Sequence, residues 1–166
     1  MLTPVEIGAL LAATKSAVDI FDKISGQVKS VLFKGKKEPE GGDDRWRYKI
    51  SVDEKSIVVK QDGRTVQTLT RPELESRLKP DHLGHVKVYE ASMQKYYKRW
   101  QQLYPKKDAS ADELVNIKLE EQLTDQVRKM KDDLVGIVDF LQSIGVHLDD
   151  HYDQVRDVVK RLDAAA

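Results

Sequence analysis

The four histidines of this chain occur as two closely spaced pairs, His82/His85 in DHLGH and His147/His151 in HLDDH. Residues three or four apart lie on the same side of a helix, so each pair could offer two imidazole ligands to zinc. Neither pair is accompanied by the general base of an HExxH motif, and HLDDH lies where a helix is predicted to begin. The four histidines are therefore weak metal candidates, and we expect no metal or other cofactor.

A second chemically suggestive stretch combines aromatic and basic side chains over residues 88–107, VYEASMQKYYKRWQQLYPKK. Such side chains can stack on bases and contact phosphates, which makes binding of single-stranded nucleic acid an alternative function. Several of the rings fall on the apolar side of a predicted helix, which leaves Tyr97 and Tyr104 for stacking. With the neighbouring Arg99, these two tyrosines are candidate contact residues.

Motifs typical of enzymes are missing from the sequence. It contains no glycine-rich phosphate loop, no GxSxG and no GxGxxG, and the absence of cysteine excludes thiol catalysis and thiolate ligation. Acidic pairs such as Asp132/Asp133 are adjacent, so on a helix their side chains diverge by about 100° and do not form a carboxylate dyad. We therefore predict no catalytic residues.

The elements that would carry these side chains are mostly helical, because apolar residues recur at helical spacing along most of the chain. The periodicity and the turn residues divide a single domain, residues 1–166, into a helix over 3–33, a linker over 34–44, a β-meander over 45–70, a short helix over 71–78, and helices over 82–104, 110–143 and 149–163. This pattern predicts a mainly α protein resembling a four-helix bundle, with a small three-stranded antiparallel meander inserted between the first and second long helices.

The first helix begins with a well-specified capping sequence, Thr3-Pro4-Val5-Glu6. Its apolar side extends to Val31, with Thr14 as the one polar residue in the stripe. A bundle that releases this amphipathic helix onto a membrane is a further alternative function. The acidic residues on its polar side, Glu6, Asp19 and Asp22, argue for core packing instead.

The meander is predicted from its turns. Asp62-Gly63 favours a type I′ hairpin that pairs Val59 with Val66 and Ile57 with Thr68. A second turn near Glu54-Lys55 pairs Val52 with Ile57 and Ile50 with Val59. Strand alternation then gives an apolar inner face (Trp46, Tyr48, Ile50, Val52, Ile57, Val59, Val66) and an outer face that carries Arg47, Lys49, Lys60 and Thr65. The sheet also has two edges that could accept a partner strand.

Charge is unevenly distributed, although its total is zero. Residues 45–107 hold fifteen basic and seven acidic side chains, whereas residues 108–166 hold seven and fourteen. The basic second long helix and the acidic third one can complement each other inside a bundle, or each can attract an oppositely charged partner.

The sequence as a whole predicts a cytoplasmic, non-catalytic protein-interaction or regulatory module. The 166 residues, 40% of them hydrophobic, suffice for a core without disulfides or metal, and no apolar run reaches the length of a membrane span. The expected partner is another protein, a homodimer is plausible, and nucleic acid or a membrane surface is less favoured. The contact residues that we predict are Arg47, Lys49, Lys60, Tyr97, Arg99 and Tyr104.

Overall fold

A computed structural model describes residues 2–32, 48–107 and 109–148, together with Tyr152 and Val159. These residues form five α-helices, one 3₁₀ helix and one antiparallel sheet. The elements in chain order are α1 (Pro4–Leu32), β1 (Tyr48–Val52), β2 (Ser56–Gln61), β3 (Arg64–Thr70), α2 (Arg71–Arg77), α3 (Pro80–Leu103), the 3₁₀ helix (Tyr104–Lys106), α4 (Glu113–Lys129) and α5 (Lys131–Ser143). The protein is mainly helical with a small three-stranded sheet, as predicted. A four-helix bundle is not confirmed, and the sheet follows α1 and continues directly into the short helix α2.

Helix α1 begins with the predicted capping box. The Thr3 backbone N–H donates to the Glu6 carboxylate at 3.0 Å, and the Glu6 N–H donates to the Thr3 hydroxyl at 3.2 Å. From Ile7 to Ile24 the apolar stripe of this helix is buried in the core, where Leu10 and Phe21 are almost fully covered. The buried Thr14 hydroxyl donates to the Leu10 carbonyl at 2.7 Å, so the polar residue in the stripe is satisfied within its own helix.

The sheet has the predicted order and the predicted register between its first two strands. Ile50 pairs with Val59 and Val52 with Ile57, and all four side chains are buried. Asp62 and Gly63 both have positive φ, 53° and 82°, as a type I′ turn requires.

The predicted register between β2 and β3 is wrong beyond the first two pairs after the turn. Lys60 pairs with Thr65, but Val59 pairs with Gln67 and Ile57 with Leu69, which leaves Val66 as an extra residue in a bulge. Because the bulge shifts every later residue by one position, Leu69 is buried instead of Val66, which is 47% exposed.

Helix α3 packs against α1, α4 and α5. Its predicted apolar side is buried at Val86, Met93, Trp100 and Leu103, while Tyr89 and Tyr96 are half-buried against the core. This helix is therefore the central support of the helical layer.

The single helix predicted over residues 110–143 is wrong, because the chain forms α4 and α5 with a break at Met130. Met130 has φ −90° and ψ 0° and is completely buried. Apolar spacing continues unchanged through this residue, so periodicity alone does not register a one-residue interruption. The start also differs, since α4 begins at Glu113 and not at residue 110, and the Asp112 carboxylate caps it by accepting the Leu114 N–H at 3.0 Å.

Helix α5 ends in a glycine cap. Gly145 has φ 90°, the Val146 N–H donates to the Leu141 carbonyl at 2.9 Å, and the Gly145 N–H donates to the Gln142 carbonyl at 3.0 Å, which is a Schellman motif. Of the helix predicted over residues 149–163, the described residues are Tyr152 and Val159, both helical and buried. The Tyr152 ring stacks on Phe21 with centroids 5.2 Å apart.

Candidate interaction site

The outer face of the sheet carries two lysines directly opposite each other. Lys49 on β1 pairs with Lys60 on β2, and both side chains are exposed, as predicted. Their direction follows from strand alternation, because Ile50 and Val59 beside them turn into the core. Arg47, the third basic residue predicted for this face, lies outside the described residues.

No acidic residue balances these lysines within the strands. The three strands contain Lys49, Lys60 and Arg64 and no aspartate or glutamate. In the turn between β1 and β2, the carboxylate of Asp53 accepts the N–H groups of Lys55 and Ser56 at 2.7 and 2.8 Å. These backbone hydrogen bonds hold the pKa of Asp53 below its usual value, so this carboxylate is committed to the turn.

A depression of about 390 Å³ separates the sheet from α1 and is lined by Asp19, Asp22, Lys23 and Lys49. The Asp22 carboxylate also accepts the Tyr152 hydroxyl at 2.9 Å. Lys49 therefore lies at the border between the sheet and the polar side of α1.

Tyr97 lies on the other side of this part of α1. It lines a second depression of about 390 Å³ between α1 and α3, together with Asp19, Lys23 and Lys98. Tyr97 is half-buried and packs against the core, so part of its ring remains accessible. The structure thus brings two of the predicted contact residues, Lys49 and Tyr97, to opposite sides of Asp19 and Lys23.

The other predicted contact residues that the structure describes are Arg99, Tyr104 and Lys60, and none of them lines these two depressions. Arg99 is exposed and donates to the Gln102 side chain at 3.1 Å. Tyr104 is half-buried in the 3₁₀ helix and stacks on Trp100, with centroids 5.7 Å apart. The stacking covers one side of the Tyr104 ring. Lys60 lies on the outer face of the sheet, opposite Lys49.

The first histidine pair borders a different cleft, of about 260 Å³, between α3 and α5. The Nδ1 atom of His82 accepts the Lys79 N–H at 3.0 Å, and its ring lies 5.1 Å from that of Phe140. Burial lowers the pKa of His82, with a smaller contribution from Lys79, so the neutral acceptor form is favoured. His85 is exposed on the same helix, with its ring 6.5 Å from Tyr89.

The second histidine pair is not fully described, because His151 lies outside the described residues. His147 is exposed after α5, and its backbone N–H donates to the Gln67 side chain at 2.7 Å. Among the residues that the structure describes, no three histidine, aspartate or glutamate side chains come together as metal ligands. Within the same residues, no helix is long and apolar enough to cross a bilayer.

Comparisons with protein-family models, with curated proteins and with solved structures find no match to this chain.

Proposed function

We propose that this protein is a non-catalytic interaction module that captures an acidic partner protein on the outer face of its sheet. The observation that carries the proposal is the exposed Lys49 opposite Lys60 in strands that contain no acidic residue. Like charges directly opposite each other on neighbouring strands are destabilising, so this pair does not contribute to the stability of the sheet. An acidic surface placed over both ammonium groups offsets that repulsion.

The partner has to reach beyond the sheet. Three strands about 4.8 Å apart, each five to seven residues long, offer only about 300 Å² of face. A stable interface covers about 800 Å² on each partner. Lys49 borders the depression that Asp19, Asp22 and Lys23 line, and Tyr97 borders the next one together with Lys98. We propose that the contact extends from the sheet along α1 towards α3, where Lys23 and Lys98 add positive charge beside these two aspartates.

The two alternative functions stay predictions that no particular observation favours. Release of α1 onto a membrane would first expose Leu10, Phe21 and Ile24, which are buried in the core. Nucleic-acid binding would use the Tyr104 ring, one side of which already stacks on Trp100. A cytoplasmic location is likewise still a prediction.

Charge reversal tests the proposal. The double variant Lys49→Glu/Lys60→Glu should lose at least tenfold in the amount of partner retained, because both attractive charges become repulsive. The measurement is an affinity pull-down from an extract of the native host, quantified by mass spectrometry against the unaltered protein. Both side chains are exposed, so the melting temperature should remain the same.

A matched control separates this face from the effect of net charge. Lys87→Glu/Lys118→Glu reverses two exposed lysines on α3 and α4 and leaves the sheet unaltered. This variant should retain the partner. Equal retention by the Lys49/Lys60 variant and the unaltered protein would reject the sheet face as the site.

A further inference from the structure

The first half of α4 packs little against the rest of the molecule. Every buried residue of this helix lies in its second half, at Leu123, Gln126 and Val127. Residues 113–122 are all exposed or half-buried. A helix that only supported the core would show burial along one side of its whole length.

Three large apolar side chains are exposed on this first half. Leu114 is 68% exposed, Val115 50% and Ile117 44%. Leu114 and Ile117 are three residues apart and lie on the same side of the helix, so we name these two residues the apolar strip; Val115 lies on a different side. At 100° per residue, the nine residues from Leu114 to the buried Leu123 span two and a half turns, so Leu114 lies on the side of α4 opposite the core. Exposed apolar side chains that neighbour each other on one side of a helix form a patch of the kind that marks interaction sites, whereas apolar side chains scattered singly need no explanation.

Acidic residues flank the apolar strip at both ends. Glu113 precedes it, and Glu121 follows four residues after Ile117 on the same side of the helix. Both are exposed, and within the described part of the chain neither takes part in a salt bridge, unlike Asp125, whose carboxylate lies 3.1 Å from Lys129. Lys118 is the one basic side chain of α4 before Arg128.

We infer that the apolar strip of α4 is a docking site for a basic amphipathic helix of a partner protein. Packed helices lie 8–10 Å apart, so apolar side chains three or four residues apart on the partner can insert beside Leu114 and Ile117. A lysine or arginine one turn to either side of them then reaches Glu113 or Glu121. The strip is small, which makes this a weak and reversible contact.

Charge complementarity favours such a partner over a second copy of this chain. In a two-fold symmetric dimer the same patch faces itself, so four glutamates and the two Lys118 side chains would come together with a net negative charge. The lysine or arginine side chains of a basic helix are instead attracted to the same glutamates. The site is separate from the basic sheet face and has the opposite charge preference, so the protein could hold an acidic and a basic partner at once.

A labelled peptide provides the test. The probe is a fluorescein-labelled 14-residue peptide of leucine and lysine, with its leucines on one side of the helix, and a leucine/glutamate peptide of the same pattern serves as the reverse-charge probe. Fluorescence anisotropy should show binding of the lysine peptide only. Leu114→Ser/Ile117→Ser should weaken that binding at least tenfold, because both apolar contacts are lost.

Controls are available on other helices. Val5→Ser/Val88→Ser removes two apolar side chains that are 82% and 65% exposed on α1 and α3, and it should leave peptide binding unchanged. Glu113→Gln/Glu121→Gln should weaken binding and reduce its salt dependence, whereas Glu54→Gln/Glu73→Gln, on exposed side chains, should do neither. Since Leu114 and Ile117 are exposed, the melting temperature of their serine variant should stay within a few degrees of the original.

Three results would overturn the inference. The first is equal binding of both peptides, and the second is equal binding of the lysine peptide by the Leu114/Ile117 variant and by the unaltered protein. The third is a dimer in sedimentation equilibrium that this variant abolishes, because that result would assign the strip to a second copy. None of them bears on Lys49 and Lys60, so the sheet-face proposal would still depend on its own pull-down.

Discussion

At the scale of single residues, Gly136 shows how one missing side chain determines a helix contact. A Cβ atom built on Gly136 would lie 2.5 Å from the Cζ atom of Tyr89 on α3, well inside van der Waals contact. Glycine within a helix costs about 1 kcal/mol relative to alanine, so its presence in α5 needs a packing reason. The Tyr89 ring, which lies against this glycine, is that reason.

Alanine substitutions at two helical glycines should therefore have opposite effects. Gly136→Ala should lower the free energy of unfolding by about 1–3 kcal/mol, because the methyl group displaces the Tyr89 ring. Gly84→Ala, in α3, has no atom within 4 Å of the added Cβ and should raise it by up to about 1 kcal/mol. Urea denaturation of both variants measures the difference, and a stabilising Gly136→Ala would contradict the packing argument.

His82 makes stability depend on pH in a defined direction. Burial lowers its pKa in the folded protein, so between that value and the ordinary value near 6.5 the unfolded chain binds more protons. Its contribution to stability is therefore complete above about pH 6.5 and is lost as pH falls through the folded pKa.

The variant His82→Asn isolates this contribution. Asparagine keeps an oxygen that can accept the Lys79 N–H, but it does not titrate. The melting temperature of the unaltered protein should fall between pH 7.5 and pH 5 more steeply than that of the variant, as followed by circular dichroism. Identical slopes would remove His82 as the cause.

At the scale of elements, sequence patterns identify most of the features that depend on residues close together in the chain. The Thr3/Glu6 box and the Asp62-Gly63 turn are each specified within a few residues, and both form as predicted. The Gly145 cap is equally local. The bulge at Val66 is different, because it depends on whether Val66 or Leu69 fills the core better. The residues of the turn do not determine which of these two side chains is buried.

The break at Met130 has a local signal that apolar periodicity hides. Arg128 and Lys129 lie in the last turn of α4, and Asp132 and Asp133 lie in the first turn of α5. Basic residues favour the end of a helix and acidic residues its start. This order of charges indicates a boundary, whereas the apolar stripe indicates one continuous helix.

The side chain of Gln67 joins the sheet to the end of α5. Its amide donates to the Gly145 carbonyl at 2.6 Å and accepts the His147 N–H at 2.7 Å, and Arg77 donates to the neighbouring Ile144 carbonyl at 2.9 Å. Gln67→Ala should thus lower the free energy of unfolding by about 1–2 kcal/mol, since two hydrogen bonds are lost and one of them is to the partly buried Gly145 carbonyl.

Thr68→Ala is the control for the Gln67 prediction. Thr68 is the next residue of β3, its side chain is exposed, and its replacement should change stability by no more than about 0.5 kcal/mol. Guanidinium denaturation of both variants measures this, and equal effects would contradict a specific role for the Gln67 amide.

At the scale of the whole molecule, the sequence predicts individual exposed residues better than it predicts their neighbours. Alternation alone places Lys49 and Lys60 on the outer face. It does not show that Lys49 and Tyr97 border the same stretch of α1, because that depends on how α1, β1 and α3 pack. Likewise, the sequence shows that Leu114 and Ile117 are apolar, but only the fold shows that they are exposed.

The ion pairs within α2 and α4 should make the stability depend little on salt. The pairs of Arg71 with Glu75 and of Asp125 with Arg128 and Lys129 are all at least partly exposed and each lie within one helix, and such pairs contribute about 0.5 kcal/mol or less. Urea denaturation at 50 and 500 mM NaCl should give free energies of unfolding within about 1 kcal/mol of each other. A larger loss at high salt would indicate that the basic and acidic parts of the chain attract each other across helices.

The bulge at Val66 has a consequence for molecules that meet at high concentration. It lies in β3, at one margin of the sheet that the described residues form. Amyloid-like growth requires an incoming chain to find evenly spaced backbone donors and acceptors along such a margin, and an inserted residue interrupts that spacing. The bulge that shifts Leu69 into the core therefore also hinders the addition of further strands at this edge of the sheet.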